Sequence, residues 1–278
     1  MTYRHDMDKG LFDDSAVIRR VAREGLLLAG GGRATLLQIA HPGVAQGVYD
    51  HSNFTERPLD RLRTTMSYVF GVLFGTLEEG RAISRAVIAM HRKVTGPGYY
   101  ADDPDLQVWV NATLYDTAVL IYQRVFGPLT EAELDECFQQ YSVLATSIGC
   151  REDAWPADRT TFDAYWAHTI DTLRVSDEAR EIAAALMRPK NIPLVMRPAK
   201  PLNRLVTVGL LPEPIRTRFG YTWSPREQRL FDGFLGVTKA VYPRLPGRLR
   251  DTVKDYYLND LRRRLARRRN PLTAGGRQ

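Results

Sequence analysis

His91 is the residue whose surroundings most invite chemistry. It lies near the end of the stretch Glu78–Val94, in line with Ile83, Val87 and Val94 at i, i+4, i+8 and i+11. That spacing is one face of an α-helix, so the imidazole is expected to point with the apolar stripe into the interior. Glu78 and Glu79 open the segment, Arg92 and Lys93 close it, and Gly96-Pro97-Gly98 stops it, an order that suits the helix dipole. An inward imidazole has two readings. It is either a core histidine bonded to a backbone carbonyl, or an axial ligand to a metal or haem iron in an apolar pocket. No second His, Asp or Glu shares the face, which disfavours zinc; haem needs only one protein ligand.

Other groups of interest sit upstream. Arg61 and Thr65 are four residues apart, beside the apolar stripe Leu59, Leu62, Met66, Val69 and Leu73 of a helix that starts at Pro58. Gly71 and Gly75 on that helix offer room for a second helix or a flat ligand. His41 and His51 flank one helix, ten residues apart, so both can face one side. They are candidate pocket residues, or simply helix-terminal hydrogen-bonding groups. Gly30-Gly31-Gly32 follows a short apolar run, but Thr35 stands where a dinucleotide fingerprint needs its third glycine. These glycines read better as close packing or a break between helices.

The elements that must position these groups read as helices throughout. Segments are expected at Asp14–Leu28, at Ala34–Val48 with a kink or restart at His41-Pro42, from Pro58, and over Glu78–Val94. Pro104–Phe126 is apolar around much of its circumference and should be central. A capping box at Thr130 starts a helix to about Ile148. Thr160–Leu173 and Asp177–Met187 follow, with Thr160 and Ser176 as N-caps. Five prolines break residues 189–215, a wrapping segment or lid that still holds a helix at Leu202–Leu211; the last helices are Ser224–Tyr242 and Arg248–Arg268. The expectation is an all-α protein of ten to thirteen helices. A single large helical domain would span 14–260, between a flexible N-terminus (1–13) and an arginine-rich tail (261–278).

Composition bounds the function class. The 278 residues are 44% hydrophobic and 26% charged, ordinary for a globular domain. No apolar run is long enough to cross a membrane, and the polar, acidic N-terminal stretch does not read as a signal peptide. Cys137 and Cys150 form no metal-type pair and suit a reduced, cytoplasmic chain. Net charge is +7, but the segment 262–269 carries six arginines and no acid, and removing them leaves +1. The basic balance is therefore local, unlike the broad basic face of a nucleic-acid binder. That segment either adsorbs weakly to an anionic membrane surface or is a helix end in a chain with only six lysines among 39 basic residues.

Several phrases together carry a resemblance. They are Ala40-His41-Pro42-x-Val44-Ala45-x-Gly47-Val48-x-x-His51-Ser52-x-Phe54, then Pro58-Leu59-x-Arg61-Leu62-x-x-Thr65, then Phe74-Gly75-Thr76. Ala86-Val87-x-x-x-His91-x-x-Val94-x-Gly96 follows, and then Tyr100-Ala101-x-Asp103-Pro104-x-Leu106-x-x-Trp109-Val110-x-Ala112-Thr113. In this order they resemble the family of the MpaB-type oxygenases and the latex clearing protein (rubber oxygenase), over about residues 20 to 245. The resemblance implies globin-like helical packing around non-covalent haem b, with His91 as the iron ligand. It implies Arg61 and Thr65 as the pair opposite it; His41 and His51, by their spacing, are candidate pocket or propionate partners or else helix-terminal hydrogen-bonding residues. It implies an oxygenase that uses dioxygen to oxidise an apolar, isoprenoid- or lipid-like molecule, alkene cleavage included. Thr64 stands where the rubber enzymes carry a lysine, and among residues 40–55 only Asp50 offers an acid; both point away from polyisoprene. A haem-binding carrier or sensor without turnover is the alternative, and a homodimer is compatible with either. Tyr100, Asp103 and Trp109 are expected to be structural: a loop anchor, an N-cap and core.

Overall fold

The structure is a computed structural model describing residues 10–51, 58–188 and 200–269. Ser52, Asn53 and Phe54, the prolines at 193 and 198, most of the N-terminal segment and the last residues of the tail lie outside the described residues. The described residues form fourteen α-helices and one two-residue antiparallel pair, β1 (Thr95–Gly96) and β2 (Tyr99–Tyr100). The helices are α1 (Val17–Ala22), α2 (Gly31–Ala40), α3 (Pro42–His51), α4 (Pro58–Phe74), α5 (Leu77–His91), α6 (Pro104–Phe126) and α7 (Glu131–Ser147). Then come α8 (Arg159–Thr172), α9 (Asp177–Met187), α10 (Lys200–Leu210), α11 (Glu213–Arg218), α12 (Pro225–Val241), α13 (Gly247–Arg250) and α14 (Thr252–Arg269). The all-α class is as expected.

Helix α6 is the axis of the molecule, because its apolar residues run around its whole circumference. Val108, Ala112, Tyr115 and Val119 join one core with α1, α4, α5, α7 and α14; Trp109 joins a second with α2, α3, α9 and α11; Ile121 joins a third with Val206, Leu210 and Phe231. Asp103 caps α6, accepting from the backbone N–H groups of Asp105 at 2.8 Å and Leu106 at 3.4 Å, and Gly127 (φ 100°) ends it. Trp109 donates its indole N–H to the Leu37 and Gln38 carbonyls at 3.0 and 3.3 Å, satisfying acceptors freed at the end of α2. Reciprocal capping boxes at Thr76/Glu79, Thr130/Glu133 and Ser224/Glu227 start α5, α7 and α12.

Several boundaries differ from the sequence reading, each for a local reason. The first helix is short, and Gly25–Gly30 continues as a 3₁₀ turn rather than as the helix to Leu28. A Cβ on Gly30 would run into Ile121 and Thr117 of α6, so these glycines serve close packing. The N-cap of α8 is Asp158, whose carboxylate accepts from the Thr161 N–H at 2.7 Å; this acidic side chain two residues earlier takes the place expected for Thr160. The helix expected over Arg248–Arg268 is split at Asp251, whose carboxylate binds Arg23 at 2.5–2.8 Å instead of continuing the turn's surface. Gly71 and Gly75 face helices, not a flat ligand. A Cβ on Gly71 would sit 2.7 Å from Leu261 of α14 and 3.0 Å from Ile83 of α5.

The arginine-rich end is a packed helix. Leu258 and Leu261 of α14 are buried against α4, Arg262 pairs with Glu79 at 2.8 Å, and Arg264 reaches Asp260 at 3.1 Å and Ser67 at 2.5 Å. Part of the local positive charge is therefore used within the fold. Among the described residues no helix is long and apolar enough to cross a membrane.

Candidate functional site

A cavity of about 620 Å³ lies where α3, α4, the end of α5, the β1–β2 hairpin and the first half of α6 meet. Its walls are largely aliphatic, with Val44, Val48, Val87, Val110, Leu114 and Ile148 among them. The few polar groups converge from different elements. His91, Arg61, Thr65 and His51 all line it.

His91 is the last residue of α5, placed there by a helix whose start is fixed by the capping box at Thr76. Ile83 and Val87 on its stripe are buried, as the spacing requires. The ring is half-buried, and neither nitrogen makes a hydrogen bond among the described residues; Nδ1 is sealed from solvent with no partner. Among the described residues no backbone carbonyl holds the ring. Burial pushes its pKa below the ordinary value near 6.5, the nearby Asp102 opposes this, and the Arg61 charge adds to it. Burial therefore favours the neutral imidazole, the form that binds metals.

Arg61 sits one turn into α4, half-buried, with the cavity as the space it faces. Burial lowers its pKa, and no carboxylate offsets that among the described residues. It remains a cation, since a guanidinium does not deprotonate in proteins. Its one contact is a long 3.4 Å bond from Nη2 to the Gln38 side-chain oxygen. Gln38 in turn donates to Thr113 Oγ1 at 3.2 Å, so α2 and α6 hold the arginine's neighbour in place. Thr65, one turn further along α4, lines the same wall. Arg61 and Lys93 against Asp60 leave the lining net positive, which favours a negatively charged group in the cavity.

The two remaining histidines differ. His51 ends α3 at the mouth of the cavity, its Nε2 donating to the Thr95 carbonyl at 3.0 Å and its ring edge-on to Tyr99 at 6.2 Å. His41 is not among the lining residues. Its Nδ1 accepts from the Gly43 N–H at 3.2 Å, bridging the junction of α2 and α3, and burial lowers its pKa. Sequence reasoning missed Gln38, Gln107 and Asn111, which line the cavity and are 7%, 4% and 1% exposed. Their signal was available: amides within helices that are otherwise apolar. It also missed Gly47, where a Cβ would meet Val94 and Tyr99 at 3.3 and 3.4 Å. It is this glycine, rather than Gly71, that lets the hairpin close on the cavity.

Comparison with known proteins places the chain. The model of the family "ER-bound oxygenase mpaB/B'/Rubber oxygenase, catalytic domain" matches residues 18–240. The chain belongs to this family. It is an oxygenase-family catalytic domain, and the matched span contains every lining residue of the cavity. Uncharacterised proteins of Mycobacterium tuberculosis and Mycobacterium bovis are each 33% identical to it over 237 residues, covering 82% of this chain and 93% of theirs. A solved structure of latex clearing protein in the closed state shares the helical fold with a TM-score of 0.60. The identity there is 16%, over 93% of this chain and 77% of that one.

The side chains present suit a haem. An imidazole whose Nδ1 has no partner among the described residues, a cavity of ligand size with aliphatic walls, and the Arg61 and Lys93 cations on its lining are compatible with such a group. Among the described residues no three His, Cys, Asp or Glu side chains come together as an all-protein metal site would need.

Proposed function

We propose that this protein is a haem b-dependent oxygenase that uses dioxygen to oxidise an apolar, isoprenoid- or lipid-like molecule, alkene cleavage included. The observation that carries the reading is His91: a half-buried imidazole on a cavity wall whose Nδ1 is sealed from solvent with no partner among the described residues. Haem supplies the one-electron and dioxygen chemistry that no amino-acid side chain offers.

This chain's residues do the rest. His91 would hold the iron, and burial, followed by the Arg61 charge, disfavours protonation of its imidazole. Arg61 stabilises negative charge that develops in the cavity, or a propionate, without competition from a carboxylate. Thr65 adds a hydroxyl that can both donate and accept beside it. Val44, Val48, Val110 and Leu114 exclude water, which strengthens each of these interactions, and they select apolar substrates over polar ones. His51 closes the mouth beside the hairpin.

The test is oxygen uptake by haem-loaded protein with farnesol, squalene and oleate, run beside Arg61→Ala. Turnover with one of them, reduced about 10²- to 10³-fold in the variant, fits an oxygenase in which Arg61 stabilises developing charge. Haem bound at stoichiometry with no uptake on any substrate would instead favour a carrier or sensor.

A further inference from the structure

A second cavity, of about 580 Å³, opens at the other end of the seam between α2 and α6, bounded also by α10, α11 and α12. Its floor is Arg33, which is 3% exposed and fully engaged. Nε donates to the Leu210 carbonyl at 2.8 Å, Nη1 to Thr117 Oγ1 at 2.5 Å, and Nη2 pairs with Asp116 at 2.6 Å. Arg124 and Arg216 line the same cavity and are not engaged in this way, since neither has a carboxylate partner among the described residues. Each is held against an aromatic face. The Arg124 guanidinium carbon lies 5.8 Å from the centre of the Phe231 ring and that of Arg216 lies 5.1 Å from the Trp223 ring. The two rings meet edge-on at 6.0 Å. Trp223 is fixed by its N–H donating to Gln228 at 2.8 Å, and Gln228 by donating to Asp232 at 2.8 Å. Leu120, Leu211 and Leu235 supply an apolar wall.

We propose that this cavity binds an amphiphilic anion, its carboxylate or phosphate head on Arg124 and Arg216 and its apolar body against Leu120, Leu211 and Leu235. A guanidinium resting on an aromatic ring keeps its N–H edge free, and that edge matches the planar oxygens of a carboxylate or phosphate. Contact with the rings restricts both side chains before a ligand arrives, which lowers the ordering cost of binding. Asp232 contributes one negative charge to the lining, and two unpaired guanidiniums outweigh it. The site is independent of the haem reading, because it shares no lining residue with the first cavity.

The experiment is calorimetry on the full chain with sodium dodecanoate below its micelle concentration, and separately with inorganic phosphate. Saturable one-to-one binding of dodecanoate is expected, weakened about tenfold or more in each of Arg124→Gln and Arg216→Gln. Asp232→Asn should tighten it, an outcome that misfolding cannot produce. Binding should change tryptophan fluorescence in the wild type but not in Trp223→Phe, while the calorimetric signal persists. Phosphate bound as tightly as dodecanoate would overturn the role of the apolar wall. Dodecanoate binding that survives both arginine variants unchanged, or that is lost in Arg61→Gln instead, would overturn the site.

Discussion

At the scale of the residue, the cavity sets a neutral base against an unpaired cation, and the two are coupled. Because folding lowers the pKa of His91, the unfolded chain takes up a proton near pH 6.5 while the folded chain does not until lower pH. His91 therefore contributes a loss of stability as pH falls from about 6.5 toward its folded pKa, and no penalty above that window. Urea unfolding of the haem-free protein at pH 7.5 and at pH 5.5 checks this: His91→Leu should lose less stability than the wild type across the interval. Removing the Arg61 charge relieves part of the pressure, so Arg61→Met should raise the His91 pKa measured by NMR. A fall would contradict the electrostatic link. His91 was legible in the sequence from its place on an apolar stripe. Arg61 and Thr65 were marked by their spacing and by resemblance. Gln38, Gln107 and Asn111 were passed over although amides in otherwise apolar helices were visible, because nothing in the sequence showed that the three face one space until the helices were placed together.

At the scale of the element, α4 and α5 carry the opposing groups, and their contact sets the distance between them. Gly71 is where α5 and α14 approach α4 most closely. Gly71→Ala should destabilise the fold by about 1–3 kcal/mol through overpacking against Ile83 and Leu261, read as a lowered Tm. Thr76→Ala removes the acceptor for the Glu79 N–H at 3.2 Å and should cost about 1 kcal/mol, fraying the start of α5 rather than the His91 end. Hydrogen exchange resolves the two ends. Caps at Asp103, Thr130 and Ser176 were readable because they use short polar side chains at fixed offsets. The glycines at 30–32 were readable as close packing or a break between helices, whereas the 3₁₀ turn at Gly25–Gly30 and the break at Asp251 were not, since Ile121 and Thr117 against Gly30 and Arg23 on Asp251 are far away in sequence.

At the scale of the molecule, α6 joins three cores and separates two cavities. The same α2–α6 seam carries a polar rung at each: Gln38 to Thr113 beside the first and Arg33 to Thr117 beside the second. The chain's end completes the fold, since Leu261 of α14 is 2% exposed against α4. Leu261→Ala should cost about 2–5 kcal/mol and lower Tm well beyond what an Arg263→Ala control does. The all-α class followed from helical periodicity along the chain, and α6 was recognisable as central because it is apolar on every side. The packing role of α14 was hidden by its arginines, whose charge drew attention to the surface while two leucines face the core.

The most direct test of the central claim is the ultraviolet–visible spectrum of the purified protein, expressed with iron and a haem precursor, beside His91→Ala. A Soret band in the wild type that shifts or disappears in a folded His91→Ala variant is the predicted result. A folded, haem-supplied wild type with no Soret band, or a band indifferent to loss of the imidazole, would contradict it.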